Sequence, residues 1–128
     1  MRALLDTQAF LWSHTDDPRL SRTACDLIED SANDLFLSAV SAWEIAIKFA
    51  RGRLPLPEPP ERYVVKRMAL QFLQALPVEI SHALRAGGLP PLHRDPFDRL
   101  LIAQSQLEGL PIVTSDQNIA RYEVEVIW

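Results

Sequence analysis

His93–Gln104, HRDPFDRLLIAQ, reads as a turn that becomes a helix within a few residues. Asp95 stands before Pro96, an N-cap followed by proline at the first helical position. Asp98 falls at the third helical position, and Leu100, Leu101, Ala103, Gln104 and Leu107 continue with the pattern of a buried helix. A carboxylate at the mouth of such a helix is either a capping device or a metal ligand. The placement of the other acids decides between the two.

Downstream, Gly109 closes the helix and Pro111–Thr114 (PIVT) is a short apolar strand ending at Ser115-Asp116. Asn118–Tyr122 makes a helical turn, and Glu123–Trp128 alternates like an edge strand. At the other end of the chain, Ala3–Leu5 is a strand buried on both faces, with Asp6 at its carboxyl end. Thr7–Ser13 turns into a helix that Asp17-Pro18 breaks. Ser21 caps a helix to Ser31, with Ala24, Cys25, Leu27 and Ile28 inward. Leu35–Ser38 is a second strand. Ser41–Arg51 follows as a helix, with Trp43, Ala46, Ile47 and Ala50 as its apolar stripe and Glu44, Lys48 and Arg51 on another face. Gly52 stops it, and Leu54–Pro60 (LPLPEPP) forms a rigid turn. A helix over Glu61–Gln74, a strand over Leu76–Val78 and a short helix over Ser81–Ala86 complete the series. Strands alternating with helices imply an α/β fold, a parallel sheet with helices on both faces. Ligands bind such sheets beyond the carboxyl ends of the strands, where Asp6 and Asp116 both stand.

The 128 residues suit one domain with one core. A net charge of −4 argues against a broad basic nucleic-acid surface, while leaving room for a basic rim around an acidic centre. Cys25 is the only cysteine, which excludes an internal disulfide and multi-cysteine zinc sites. The N-terminal apolar run is broken by Asp6 and does not read as a signal peptide. No stretch approaches a membrane span, so a cytoplasmic location is expected.

Four acids stand out: Asp6, Glu44, Asp98 and Asp116. Carboxylates gathered within a few ångströms repel one another, and a divalent cation removes that conflict. All-oxygen ligands favour Mg²⁺ or Mn²⁺, which can activate water and steady charge on a phosphodiester. Each acid also has a structural reading. Asp6 and Asp116 precede helices, where an Asp N-cap contributes about 1 kcal/mol. Glu44 has Lys48 four residues on, and Asp95-x-x-Asp98 is close to a capping box.

The chain resembles the PIN-domain ribonucleases, most closely the VapC-type toxins of type II toxin–antitoxin systems. The resemblance rests on LLDTQAFLW (Leu4–Trp12), LSAVSAWEIAIK (Leu37–Lys48), HRDPFDRLLIAQ (His93–Gln104) and PIVTSD (Pro111–Asp116), in the family's order and spacing. It extends over essentially the whole chain, residues 1–128, as one PIN domain. It implies a three-layer α/β/α sandwich with a central, mainly parallel sheet, and a Mg²⁺- or Mn²⁺-dependent endoribonuclease held in check by an antitoxin protein. It further implies that Asp6, Asp98 and Asp116 hold the metal, directly or through water. Glu44 would complete the cluster and orient or deprotonate water, with Thr114 in support and Asp95 as the cap. A homodimer is implied, with Leu54–Met68 available for dimer or antitoxin contact. Gln8 and Ile119 depart from the pattern, where relatives often carry His and an aromatic.

Lys48, Arg51, Arg94 and Arg99 flank the acids, either as RNA phosphate contacts or as neutralising and solvated charges. Trp12, Trp43 and Trp128 read as core or interface residues, and Cys25 as a buried thiol. His14, His82 and His93 show no metal-ligand spacing. A response-regulator receiver would need paired acids after the first strand and a lysine late in the chain; here Asp6-Thr7 stands at the former and Lys66 is the last lysine. A phosphohydrolase with Asp-x-Asp is disfavoured by Asp6-Thr7-Gln8. A non-catalytic interaction domain with a vestigial acidic site is the remaining rival.

Overall fold

A run of four apolar stretches and an alternating tail becomes five strands in the computed structural model, which describes residues 1–128. In chain order the elements are β1 (Arg2–Leu5), α1 (Thr7–Trp12), α2 (Arg22–Glu29), β2 (Asp34–Ser38), α3 (Ala39–Ala50), α4 (Pro60–Leu70), β3 (Gln74–Leu76), α5 (Ile80–Gly87), α6 (Pro96–Glu108), β4 (Ile112–Val113), α7 (Gln117–Ala120) and β5 (Val126–Ile127). The strands form one sheet in the order β3-β2-β1-β4-β5, and every pairing is parallel. Leu4 is the central register point, opposite Phe36 on one side and Ile112 on the other.

Because successive strand residues point to opposite faces, β1 feeds two cores. Ala3 and Leu5 join Phe10, Leu35, Leu37, Ile45, Tyr63 and Val64 on one face. Leu4 joins Phe36, Leu101, Ile102, Ile112 and Ile119 on the other. Helices α1, α2 and α4 therefore cover the first face and α6 and α7 the second, while α3 supplies Ile45 to one and Val40 to the other. This is the expected three-layer α/β/α sandwich. The chain moves outward from β1 through β2 to β3, then returns to place β4 on the opposite side of β1. That reversal puts a switch point between the carboxyl ends of β1 and β4, where open parallel sheets bind ligands. The order also differs from the 2-1-3-4-5 order of flavodoxin-like receivers, which removes that rival.

Several local expectations shift. Helix α3 starts two residues early, because Ser38 caps it through Val40 N at 3.0 Å. Its buried face is Val40, Ser41, Glu44 and Ile45; Trp43, expected in the apolar stripe, is 58% exposed with its ring edge against Phe97. Cys25 is only half-buried and lies 3.5 Å from a Glu29 oxygen. Helix α4 ends at Leu70 rather than Gln74, and β3 accordingly begins at Gln74. The stop carries no glycine: Phe72 takes the left-handed conformation (φ 55°), and Leu73 N closes on Met68 O at 2.9 Å. The same device ends α6 at its expected residue, Gly109 (φ 66°), with Leu110 N bonded to Ser105 O at 3.1 Å.

These two caps predict opposite responses. A side chain in the left-handed region costs about 1–2 kcal/mol. Gly109→Ala is therefore expected to destabilise the protein by about 1 kcal/mol, although nothing lies within 4 Å of the added Cβ. Phe72→Gly, at an 88% exposed side chain, is expected to stabilise it by roughly 0.5–1 kcal/mol after the extra freedom of the unfolded chain is subtracted. Urea unfolding midpoints of the two variants against wild type measure both signs.

Candidate active site

Asp6 is delivered by the central strand. Its backbone N–H donates to Val113 O at 3.1 Å, tying the end of β1 to β4. Its extended backbone makes it the N-cap of α1, and Oδ1 accepts from Ala9 N at 2.7 Å. The side chain is buried, and burial pushes its carboxyl up to about 6; the Thr114 hydroxyl and the Ala9 amide oppose this, and the Asp116 and Glu44 charges reinforce it. Next to it, the buried Thr7 hydroxyl donates to Glu44 Oε1 at 2.7 Å and lies 2.9 Å from Ser41 Oγ. Glu44 Oε2 accepts from Lys48 Nζ at 2.5 Å. Both oxygens of this buried glutamate are thus engaged, and Lys48 takes the neutralising role of its two expected ones.

The turn before α6 separates Asp95 from Asp98. Asp95 Oδ1 accepts from Phe97 N and Asp98 N at 2.8 and 3.2 Å, so Asp95 alone is the cap. Asp98 does not complete a capping box; its Oδ2 is 2.7 Å from His93 Nε2. Burial pushes Asp98 up to about 6, opposed by the His93 hydrogen bond and reinforced by the charges of Asp95 and Asp116. Thr114, at the end of β4, accepts from Asp116 N at 3.0 Å, and Asp116 Oδ1 caps α7 through Asn118 N at 2.8 Å.

His93, Asp98 and Asp116 each offer a ligand atom, and these atoms lie within 4.8 Å of one another. Two carboxylates and an imidazole at that spacing fit a divalent cation. Asp6 adjoins this group through Asp116 and Thr114, and Glu44 adjoins Asp6. The structure thus brings Asp98 and Asp116 together with His93 as the tight group, while Asp6 and Glu44 stand outside it, Asp6 near enough to feel the charges of Asp116 and Glu44. The histidine was missed because His93 lies five residues before Asp98, across a turn rather than at a helical spacing.

The basic residues divide. Arg51 and Arg94 are exposed, and their side chains make no hydrogen bond or ion pair within the chain. Arg99, expected at the acidic rim, is a scaffold residue. Its Nη1 donates to Pro90 O, His93 O and the Tyr122 hydroxyl, and its Nη2 to Ala86 O and Leu89 O, at 2.9–3.3 Å. A cavity of about 950 Å³ lined by Trp12, Asp17, Cys25, Leu35 and Phe72 includes none of the four acids.

The PIN-domain family profile matches residues 3–125, and the chain belongs to that family. Over 79 residues it is 42% identical to Ribonuclease VapC16 of Mycobacterium tuberculosis. The match covers 57% of this chain and only 56% of that relative. Among solved structures, the fold is similar to VapBC2 from Rickettsia felis bound to a DNA fragment from their promoter, with a TM-score of 0.70, 13% identity and coverage of 98% of this chain and 97% of that one. It is also similar to FitAcB from Neisseria gonorrhoeae, with a TM-score of 0.65, 19% identity and coverage of 98% and 96%.

Asp6 and Asp98 both sit above their ordinary value of 3.8, so their contribution to stability is fully present below about pH 4 and lost as pH rises through about 6. Metal-free protein is expected to lose stability across that window. At pH 7.5 in chelator, Asp98→Asn is expected to be more stable than wild type by about 1–3 kcal/mol, since it removes the ionisation penalty. Urea titrations of both proteins at pH 5 and 7.5 check this; a gain as large at pH 5 as at 7.5 contradicts it.

Proposed function

We propose that residues 1–128 act as one PIN domain, a Mg²⁺-dependent endoribonuclease toxin that hydrolyses RNA phosphodiesters, with Mn²⁺ able to substitute. The observation that carries this reading is the close grouping of Asp98 and Asp116 with His93 in a PIN-family chain, with Asp6 and Glu44 beside it within reach of each other's charge. The similarity to Ribonuclease VapC16 supports RNA as substrate. The likeness to VapBC2 and FitAcB supports a cognate antitoxin as partner, and the family resemblance of the sequence supports a homodimer as the working assembly. No helix is long and apolar enough to cross a membrane, in keeping with a cytoplasmic toxin.

Asp98 and Asp116 would hold the metal directly, and Asp6 directly or through water. Bound there, the cation would screen the carboxylates, polarise a phosphate oxygen and favour ionisation of water. The chain's own residues supply the rest. Glu44, with its geometry set by Thr7 and Lys48, orients water on the Asp6 side of the cluster. Thr114 fixes the Asp116 backbone and so the direction of its carboxylate. Arg51 and Arg94, free of partners within the chain, contact backbone phosphates.

Purified wild type is expected to cleave structured RNAs with Mg²⁺ and to stop on chelation, while Asp98→Asn shows no cleavage at any Mg²⁺ concentration. Equal cleavage by both proteins, or cleavage indifferent to chelator, sinks the mechanism. In cells, expression without a partner is expected to arrest growth, and Asp6→Asn to relieve the arrest at equal protein level.

A further inference from the structure

Three histidines occupy the chain, and they differ in one respect. His14 has both ring nitrogens engaged, Nδ1 with the Tyr63 hydroxyl at 2.9 Å and Nε2 with Gln71 Oε1 at 3.0 Å. His82 is equally satisfied, with Nδ1 accepting from Glu79 N at 2.9 Å and Nε2 meeting Glu108 Oε1 at 2.8 Å. His93 engages one nitrogen only: Nε2 meets Asp98, and Nδ1 has no hydrogen-bond partner in the protein. Its side chain is 17% exposed, so this is not a solvated surface ring.

The backbone of His93 is clamped on both sides. Its N–H donates to the Tyr122 hydroxyl at 2.9 Å, and its carbonyl accepts from Arg99 Nη1 at 3.2 Å. The Tyr122 hydroxyl donates onward to Pro90 O at 2.7 Å, and Arg121 donates to Leu92 O at 2.8 Å. With the Arg99 fork, these bonds hold the α5–α6 connection against α6 and α7. The clamp fixes where the imidazole stands without using either ring nitrogen.

We propose that His93 is a direct nitrogen ligand of the divalent cation, completing a His93–Asp98–Asp116 donor set, and that it biases the site towards Mn²⁺ over Mg²⁺. This rests on the metal-dependent reading above. Mg²⁺ binds oxygen and retains water, whereas imidazole raises affinity for first-row transition ions. A site of carboxylates alone has little ground for choosing between the two ions; one imidazole supplies it. Arg99 and Tyr122 act through His93 as positioning residues, the outer support that sets a ligand's orientation.

The test uses the full chain, stripped of metal and titrated separately with Mn²⁺ and Mg²⁺ by calorimetry, together with pulsed EPR of the Mn²⁺ form. The expected results are tighter binding of Mn²⁺ than of Mg²⁺ and a nitrogen hyperfine coupling on bound Mn²⁺. His93→Gln keeps an amide donor for Asp98 and removes the imidazole. It is expected to abolish the coupling and weaken Mn²⁺ by at least the roughly ten- to hundredfold that loss of an outer-shell partner costs, with a much smaller loss for Mg²⁺. If Asp98→Asn abolishes Mn²⁺ binding but wild type shows no nitrogen coupling, and His93→Gln leaves the Mn²⁺/Mg²⁺ ratio unchanged, His93 lies outside the coordination sphere and this proposal fails while the metal site stands. If wild type binds neither ion, or Asp98→Asn binds as wild type does, the metal-dependent reading fails and takes this inference with it. The coupling in wild type needs no variant, so a misfolded His93→Gln leaves the test decisive.

Discussion

Asp6 is 7% exposed, and its carboxyl has no ion-pair partner. An isolated charge in that position is costly, which is why its pKa rises to about 6. The fold holds it there from three directions. Its backbone is part of the β1–β4 pairing, its Oδ1 caps α1, and the strand behind it places Leu4 and Leu5 in opposite cores. None of these can be released singly, so packing and backbone bonding over-determine a group whose own energetics oppose it. The one lysine nearby is occupied by Glu44 and does not relieve Asp6.

Capping and site formation are not rival roles. Asp6 caps with Oδ1, Asp116 caps with Oδ1, and Asp98 meets His93 with Oδ2. Each carboxylate has one oxygen engaged in this way, and Asp98 and Asp116 still offer a ligand atom to the group they form with His93. Helix N-termini at the carboxyl ends of parallel strands are where caps belong and where ligands bind. The same residue serves both needs because a carboxylate has two oxygens.

The layers, the parallel sheet and the switch-point location were legible because β1, β2 and β4 are short apolar runs ending at polar turns. The starts of α1, α2 and α6 were legible from Asp6, Ser21 and Asp95. The end of α4 was not: Phe72 adopts a conformation that sequence assigns to glycine, so β3 was placed two residues late. Trp43 misled because hydrophobicity alone cannot distinguish a buried ring from one laid against Phe97 at the surface. Arg99 misled because proximity in sequence to Asp98 says nothing of direction, and its fork turns back to the carbonyls of the α5–α6 connection. His93 was hidden by the turn that brings it to Asp98.

With Arg99 in the scaffold and Lys48 paired, the cationic rim shrinks to Arg51 and Arg94. In a chain of net charge −4, two exposed arginines are a weak field for a polyanion approaching a carboxylate cluster. On the proposed reading, phosphate attraction at the centre itself must then come from the bound cation, because without it the nearest charges repel. On that reading metal binding would precede productive RNA binding, and a cation held there would favour the charged state of the Asp6 and Asp98 carboxyls, which burial displaces towards neutrality. The arginine that left the rim, Arg99, contributes to the same end indirectly: its fork holds the His93 backbone, and His93 holds Asp98.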